Sequence, residues 1–178
     1  MSATDGPGAI VFTDIVDFVR YNAQRGDDAA VELLEQQLLM VRGILPSCAR
    51  VVKELGDGLM IWVPDAYAAI ESCLAIQNEV TKQQSGDDDA TFVRIGCHWG
   101  SPRRRGDDFV GNVVNLAARI VDLAGAGEVL ASAALLEAAG DLSGLDAKAH
   151  ELGPVYVKGV PEPVALYRLE AEVTSAQR

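Results

Sequence analysis

Two short stretches place an aspartate beside an apolar, strand-forming run: Val-Phe-Thr-Asp-Ile-Val-Asp-Phe at 11–18 and Lys-Glu-Leu-Gly-Asp-Gly at 53–58. A carboxylate at a strand end is costly to hold unless a cation or a hydrogen-bond donor compensates it, and carboxylate oxygens suit a hard divalent ion. Asp14 and Asp57 are therefore candidate ligands of one shared metal site. Downstream, Asn115 and Arg119 lie four residues apart in a segment of helical spacing, so an amide and a guanidinium can face one ligand. Lys53 and Asp108 add a donor and an acceptor on separate stretches. Read singly, each has an ordinary alternative: a turn or cap for the aspartates, a solvated side chain for Lys53, a surface amide or salt bridge for Asn115 and Arg119.

The elements that must position these groups follow from periodicity. Ala9 to Thr13 reads as a buried strand ending on Asp14, with a helix after it. Asp27 and Asp28 offer an N-cap, after which Val31, Leu34, Leu38, Val41 and Leu45 recur at helical spacing until Pro46. Arg50 to Leu55 and Leu59 to Val63 flank Gly56-Asp57-Gly58 as a hairpin, which puts Asp57 in or beside a tight turn. Asp65 can cap a helix running to about Gln83 with Ala69, Ile70, Cys73, Ile76 and Val80 as its apolar stripe. An acidic loop follows at Ser85 to Asp89, then a strand from Phe92 to Trp99 and a basic turn carrying Arg103, Arg104 and Arg105. Gly111 to Leu123 returns to helical spacing, and Glu128 to Ala131, Ala133 to Ala139, Ala149 to Val157 and Val164 to Leu169 read as strand, helix, strand and strand. Alternating helices and strands without repeats predict an α/β sandwich, with helices on one face of a mainly antiparallel sheet.

Composition narrows the chemistry. The chain has 178 residues, 49% of them hydrophobic and 23% charged, enough for one domain with a core. Fifteen Lys and Arg against 26 Asp and Glu give a net charge of −11, which argues against nucleic acid or an anionic membrane as partner. A polyphosphate substrate would then need metal ions and a local basic cluster. Cys48, Cys73 and Cys97 are far apart and form no CxxC pair, so they read as buried apolar residues in a reducing compartment. The N-terminal stretch lacks the pattern of a signal peptide and no apolar run is long enough to span a bilayer, so a cytoplasmic location is expected. There is no Gly-x-x-x-x-Gly-Lys-Ser/Thr loop, which disfavours a P-loop NTPase. His98, among apolar strand residues, reads as a satisfied core histidine.

Phe12 to Phe18, Lys53 to Gly58, Asp108 to Arg119 and Val157-Lys158-Gly159 together resemble the ordered motifs of class III adenylyl/guanylyl cyclase catalytic domains, in particular compact bacterial, mycobacterial-like members. The resemblance covers about residues 9–170, leaving 1–8 as a flexible N-terminus and 171–178 as a tail. It implies a ferredoxin-like βαββαβ core and a head-to-tail homodimer with two active sites at the interface. The implied reaction is conversion of ATP to 3′,5′-cyclic AMP and pyrophosphate by attack of the ribose 3′-hydroxyl on the α-phosphate.

By the same resemblance, Asp14, Asp57 and the backbone carbonyl of Ile15 would hold two divalent ions, Mg²⁺ or Mn²⁺. Backbone amides around Asp17, Phe18 and Val19 would bind phosphate at a helix start; Asp17 and Val19 stand where the family often has Gly and Thr. Asn115 would orient the ribose, Arg119 would stabilise charge at the α-phosphate, and Lys158 would bind the terminal phosphates. Adenine presents an acceptor at N1 and a donor at N6, and guanine reverses that polarity. Lys53 and Asp108 match the family's adenine-reading pair. Two other readings stay open: a catalytically silent cyclase-like module that binds nucleotide or dimerises, and a cyclase using GTP.

Overall fold

The computed structural model describes residues 6–84 and 91–172. In chain order its elements are β1 (Gly8–Ile15), α1 (Phe18–Arg25), α2 (Asp27–Ile44), β2 (Arg50–Leu55), β3 (Gly58–Val63), α3 (Ala66–Gln84), β4 (Val93–Gly100), β5 (Arg103–Arg105), β6 (Asp108–Val110), α4 (Asn112–Leu123), β7 (Val129–Ser132), α5 (Ala133–Ala139), β8 (Ala147–Val155) and β9 (Val164–Ala171). β1 carries no charge before Asp14, so both of its faces need covering, and it is an interior strand, third in a seven-stranded sheet of order β2-β3-β1-β4-β7-β9-β8. β4 and β7 pair in parallel, and the other pairs are antiparallel. The first four sheet strands with the helices between them form the expected βαββαβ core. β5 and β6 make a separate short hairpin.

The expectation of helices on one face needs correction. Ala9, Val11 and Ile15 of β1 join a core with Val41 of α2, Ile70 and Cys73 of α3, and Leu135 of α5. Ile10 and Phe12 point the other way, into a cluster with Met60, Phe109, Ala117 and Val121, so α4 covers the opposite face. α4 lies so close to β4 that a Cβ at Gly96 would overlap the Val121 amide nitrogen; only glycine admits this approach. A strand apolar on both faces demanded this second layer.

Smaller expectations also shift. Gly26, with φ 87°, occupies the N-cap of α2, and Asp27 and Asp28 fall in the first turn, where their charge still favours the helix dipole. Val31 is 53% exposed because the stripe runs through Ala30, Leu34, Gln37 and Val41, and one residue is a rotation of about 100° on a helix. Cys73 and Cys97 are buried as expected, but Cys48 is exposed beyond the end of α2. Asp65 does cap α3, its Oδ1 accepting from the Ala68 amide at 2.7 Å. The first strand starts at Gly8 and the last runs to Ala171, each past the anticipated limit. The acidic loop at 85–89 lies outside the described residues.

Candidate active site

Asp14 is the penultimate residue of β1 and shares the α4-side face with Ile10 and Phe12. Its partner across the β1–β3 ladder is Gly58, where a Cβ would overlap the Thr13 carbonyl oxygen, so the hairpin closes tightly against β1. The Ile15 amide donates to the Asp57 carbonyl at 3.1 Å, and the buried Thr13 Oγ1 accepts from the Leu59 amide at 3.2 Å. These bonds fix the Gly56-Asp57 turn beside the end of β1. Burial, and secondly the negative charge of Asp14, pushes the Asp57 carboxyl above its ordinary range.

Arg94 is the residue that sequence reasoning missed here. It faces Asp14 in the β1–β4 register, and its Nε donates to Asp14 Oδ2 at 2.7 Å. Its Nη1 also donates to the Asp122 carbonyl near the end of α4, at 3.4 Å. The available signal was a lone arginine between Val93 and Ile95, in a strand whose only other basic residue is His98.

Asp14, Asp57 and Arg94 line a cleft of about 620 Å³ whose other wall is Asp17, Phe18 and Val19. Asp17 precedes α1 in the left-handed region, φ 57° and ψ 27°, and its side chain makes no capping bond. Glycine takes that conformation without cost and aspartate tolerates it, which gives a physical reason for Gly or Asp at this position. The first-turn amides of α1 therefore keep the anion-binding character of a helix start. Among the described residues, no group of three or more His, Cys, Asp or Glu side chains converges. Two adjacent carboxylates, one of them made easier to protonate by burial and by the charge of the other, still fit a hard divalent ion that completes its shell with backbone, water and phosphate oxygens.

The second group is built on β2 and the β5–β6 hairpin. Lys53 Nζ donates to Asp108 Oδ2 at 2.7 Å, and Asp108 Oδ1 accepts from the Phe109 amide at 2.8 Å. The Lys53 hydrogen bond is the main reason the Asp108 carboxyl is held below its ordinary range. Phe109 is buried beneath the pair and stacks on Trp62 with ring centroids 5.5 Å apart.

Asn115 and Arg119 occupy the exposed face of α4, opposite the buried Ala117, Ile120 and Val121. Arg119 meets Asp122 at 3.6 Å, a solvent-exposed pair worth little stability. Lys158 is exposed in the turn before Gly159, whose φ is +84°. None of Lys53, Asp108, Asn115, Arg119 and Lys158 lines the acidic cleft. The chain thus brings together Asp14 with Asp57 and Lys53 with Asp108, and only the first of these pairs lines the acidic cleft. His98, as expected, is a satisfied and largely buried histidine, its Nδ1 2.7 Å from Ser132 Oγ.

No helix among the described residues is long and apolar enough to cross a membrane. The family model for the adenylate and guanylate cyclase catalytic domain matches residues 3–171. A pH-sensitive adenylate cyclase of Mycobacterium tuberculosis is 26% identical over 175 residues, covering 94% of this chain and 43% of that protein. The chain spans less than half the length of the curated relatives it matches. Its fold superposes on the adenylyl cyclase CyaB of P. aeruginosa with TM-score 0.80 at 24% identity, covering 92% of this chain and 93% of that one. It also superposes on the guanylate cyclase domain of a Catenaria anguillulae protein, solved with GTP, with TM-score 0.82 at 21% identity, covering 96% and 99%. With that fold, those motifs in order and a family match over nearly its whole length, the chain belongs to the adenylate and guanylate cyclase catalytic domain family.

Proposed function

We propose that this domain is an adenylyl cyclase that works as a head-to-tail homodimer. In the reaction the ribose 3′-hydroxyl of ATP attacks its own α-phosphorus, the α–β bridging bond breaks, and pyrophosphate departs. The observation that supports ATP is the Lys53–Asp108 pair at 2.7 Å: a donor and an acceptor side by side, the polarity that complements adenine N1 and N6. Both groups are more than a third exposed, so they can exchange their mutual bond for bonds to a base.

Asp14, Asp57 and the Ile15 carbonyl would hold two divalent ions, Mg²⁺ or Mn²⁺, which when bound increase the acidity of the hydroxyl and clamp the phosphates. The amides of Asp17, Phe18 and Val19 would hold phosphate oxygens at the start of α1. Asn115 would orient the ribose, Arg119 would meet charge developing on the α-phosphate, and Lys158 would bind the terminal phosphates. Separation of these residues from the acidic cleft within one subunit supports assembly of each site across a dimer. A C2 pair would then hold two equivalent sites, each taking its cleft from one subunit and its α4 side chains from the other.

The test is incubation of the purified chain with ATP or GTP and Mg²⁺ or Mn²⁺, with detection of cyclic nucleotide and pyrophosphate. Cyclic AMP in excess is the expected result. Predominant cyclic GMP would overturn the base assignment, and no product from either nucleotide would leave a silent nucleotide-binding module.

A further inference from the structure

Beside the Lys53–Asp108 pair lies an arginine with no part in the proposed chemistry. Arg50 starts β2, and its Nη1 donates to the Asp107 carbonyl at 3.0 Å. Its guanidinium carbon also lies 5.1 Å from the centroid of the Phe109 ring, within cation–π range. Asp107 and Phe109 are the residues immediately before and after Asp108. Arg50 therefore grips the chain on both sides of the carboxylate without touching the carboxylate itself. Trp62 of β3 stacks on the same ring, and Arg50 faces Trp62 in the β2–β3 register, so the ring is held by two adjacent strands.

This grip addresses a mechanical weakness. β5 and β6 have three residues each and form their own small sheet, outside the seven-stranded one. An isolated two-stranded hairpin is marginally stable in water, so the position of Asp108 relative to Lys53 depends on what anchors the hairpin: Phe109 in the core and Arg50 on β2. Lysine could supply the charge but not the planar fork that stacks on a ring while one arm bonds a carbonyl.

We propose that Arg50 is a positioning residue for purine selection: it clamps 107–109 to β2 and thereby holds Asp108 at the place where, with Lys53, it reads the base. The inference rests on the proposed cyclase activity for its kinetic consequence, but not for the clamp itself. The bond from Lys53 to the carboxylate spans β2 and β6 and so requires the hairpin to stay where Arg50 holds it, whereas the bond from the Phe109 amide lies within β6 and travels with it.

The experiment compares the full chain with Arg50→Met and Arg50→Lys in two ways: kcat and KM for ATP and GTP, and the titration of the Asp108 carboxyl followed by NMR. Arg50→Met should raise the KM for ATP on the order of tenfold, change kcat less, and draw the ATP-to-GTP ratio of kcat/KM toward one, as expected for a loosened polar reader. Arg50→Lys should lie between Arg50→Met and the parent. In Arg50→Met the Asp108 titration should move up toward the ordinary carboxylate range as its bond to Lys53 loosens. Equal losses for ATP and GTP would overturn the proposal, as would an unmoved Asp108 titration. If the parent chain formed no cyclic product, the cyclase reading would fail while the clamp was still decided by the titration. If Arg50→Met did not fold, Arg50→Lys with an unmoved Asp108 titration and an unchanged nucleotide ratio would overturn it.

Discussion

The two aspartates at the centre of the proposed chemistry, Asp57 and Asp108, sit in opposite electrostatic settings. Asp57 is in a cleft with a second carboxylate, and burial and Asp14 together push its proton affinity up. Asp108 has a lysine at 2.7 Å and a backbone amide at 2.8 Å, which hold its proton affinity down. In the first region one arginine stands against two carboxylates: Arg94 bonds Asp14, and the raised proton affinity of Asp57 shows that the balance of its surroundings disfavours its negative charge. The second is already balanced and can exchange a bond within the protein for a bond to a base. These two settings are the ones that the proposed metal binding and the proposed base selection respectively call for.

The most severe way to break this contrast is to empty the cleft. Asp14→Ala or Asp57→Ala should lower cyclase activity by on the order of a hundred- to a thousandfold, as loss of a principal charge-stabilising group does, while the chain keeps its fold. Activity assays alongside circular dichroism check this; near-normal turnover in either variant would remove the metal site. Next, if the two regions serve one site from opposite subunits, mixing inactive Asp57→Ala with inactive Arg119→Ala should restore roughly a quarter of parental activity. Random pairing makes half the dimers mixed, each with one intact site. Demonstrated subunit exchange with no recovery would sink the shared-site model.

A milder perturbation reverses the polarity of the reader. Lys53→Glu with Asp108→Gly should shift preference from ATP toward GTP by roughly ten- to a hundredfold, the range expected from mismatched buried polar groups at about 1 to 3 kcal/mol each. Competition between the two nucleotides measures it, and an unchanged preference would show that this pair does not read the purine.

The smallest effect sharpens the contrast through stability. The folded pKa of Asp108 is depressed, so its contribution is present above the ordinary value of 3.8 and is lost as pH falls through the folded value, which lies below 3.8. The folded pKa of Asp57 is raised, so it costs stability above that folded value and the cost vanishes below 3.8. Metal-free Asp57→Asn should therefore be slightly more stable than the parent at neutral pH, and Asp108→Asn slightly less. Both differences should shrink in acid, the second at lower pH than the first. Denaturant melts across pH read out the two curves, and curves of the same sign would refute the assignment of opposite environments.

Much of the fold was legible because its strands and helices carry strong local signals. The β2–β3 hairpin was marked by Gly56-Asp57-Gly58, α3 by the cap at Asp65, and α4 by its helical spacing. The second helical layer was not legible, because a strand apolar on both faces does not state which later segment covers which face. Val31 misled for a related reason: Ala30, too small to stand out beside a valine, sets the true stripe.

For the candidate site, residue types and order in the sequence determined what chemistry was available: two carboxylates, an opposite-polarity pair, and an amide and guanidinium one helical turn apart. Family resemblance attached roles to them. Only the tertiary structure decided which of these groups meet. It joined Lys53 to Asp108 across 55 residues and Asp14 to Arg94 across 80, and it left Asn115 and Arg119 on an exposed helix face. The reason is physical. Local patterns fix dihedral angles and the face on which a side chain lies, whereas contacts between distant segments depend on register, on close approaches such as Gly58 to Thr13, and on which helix covers which face.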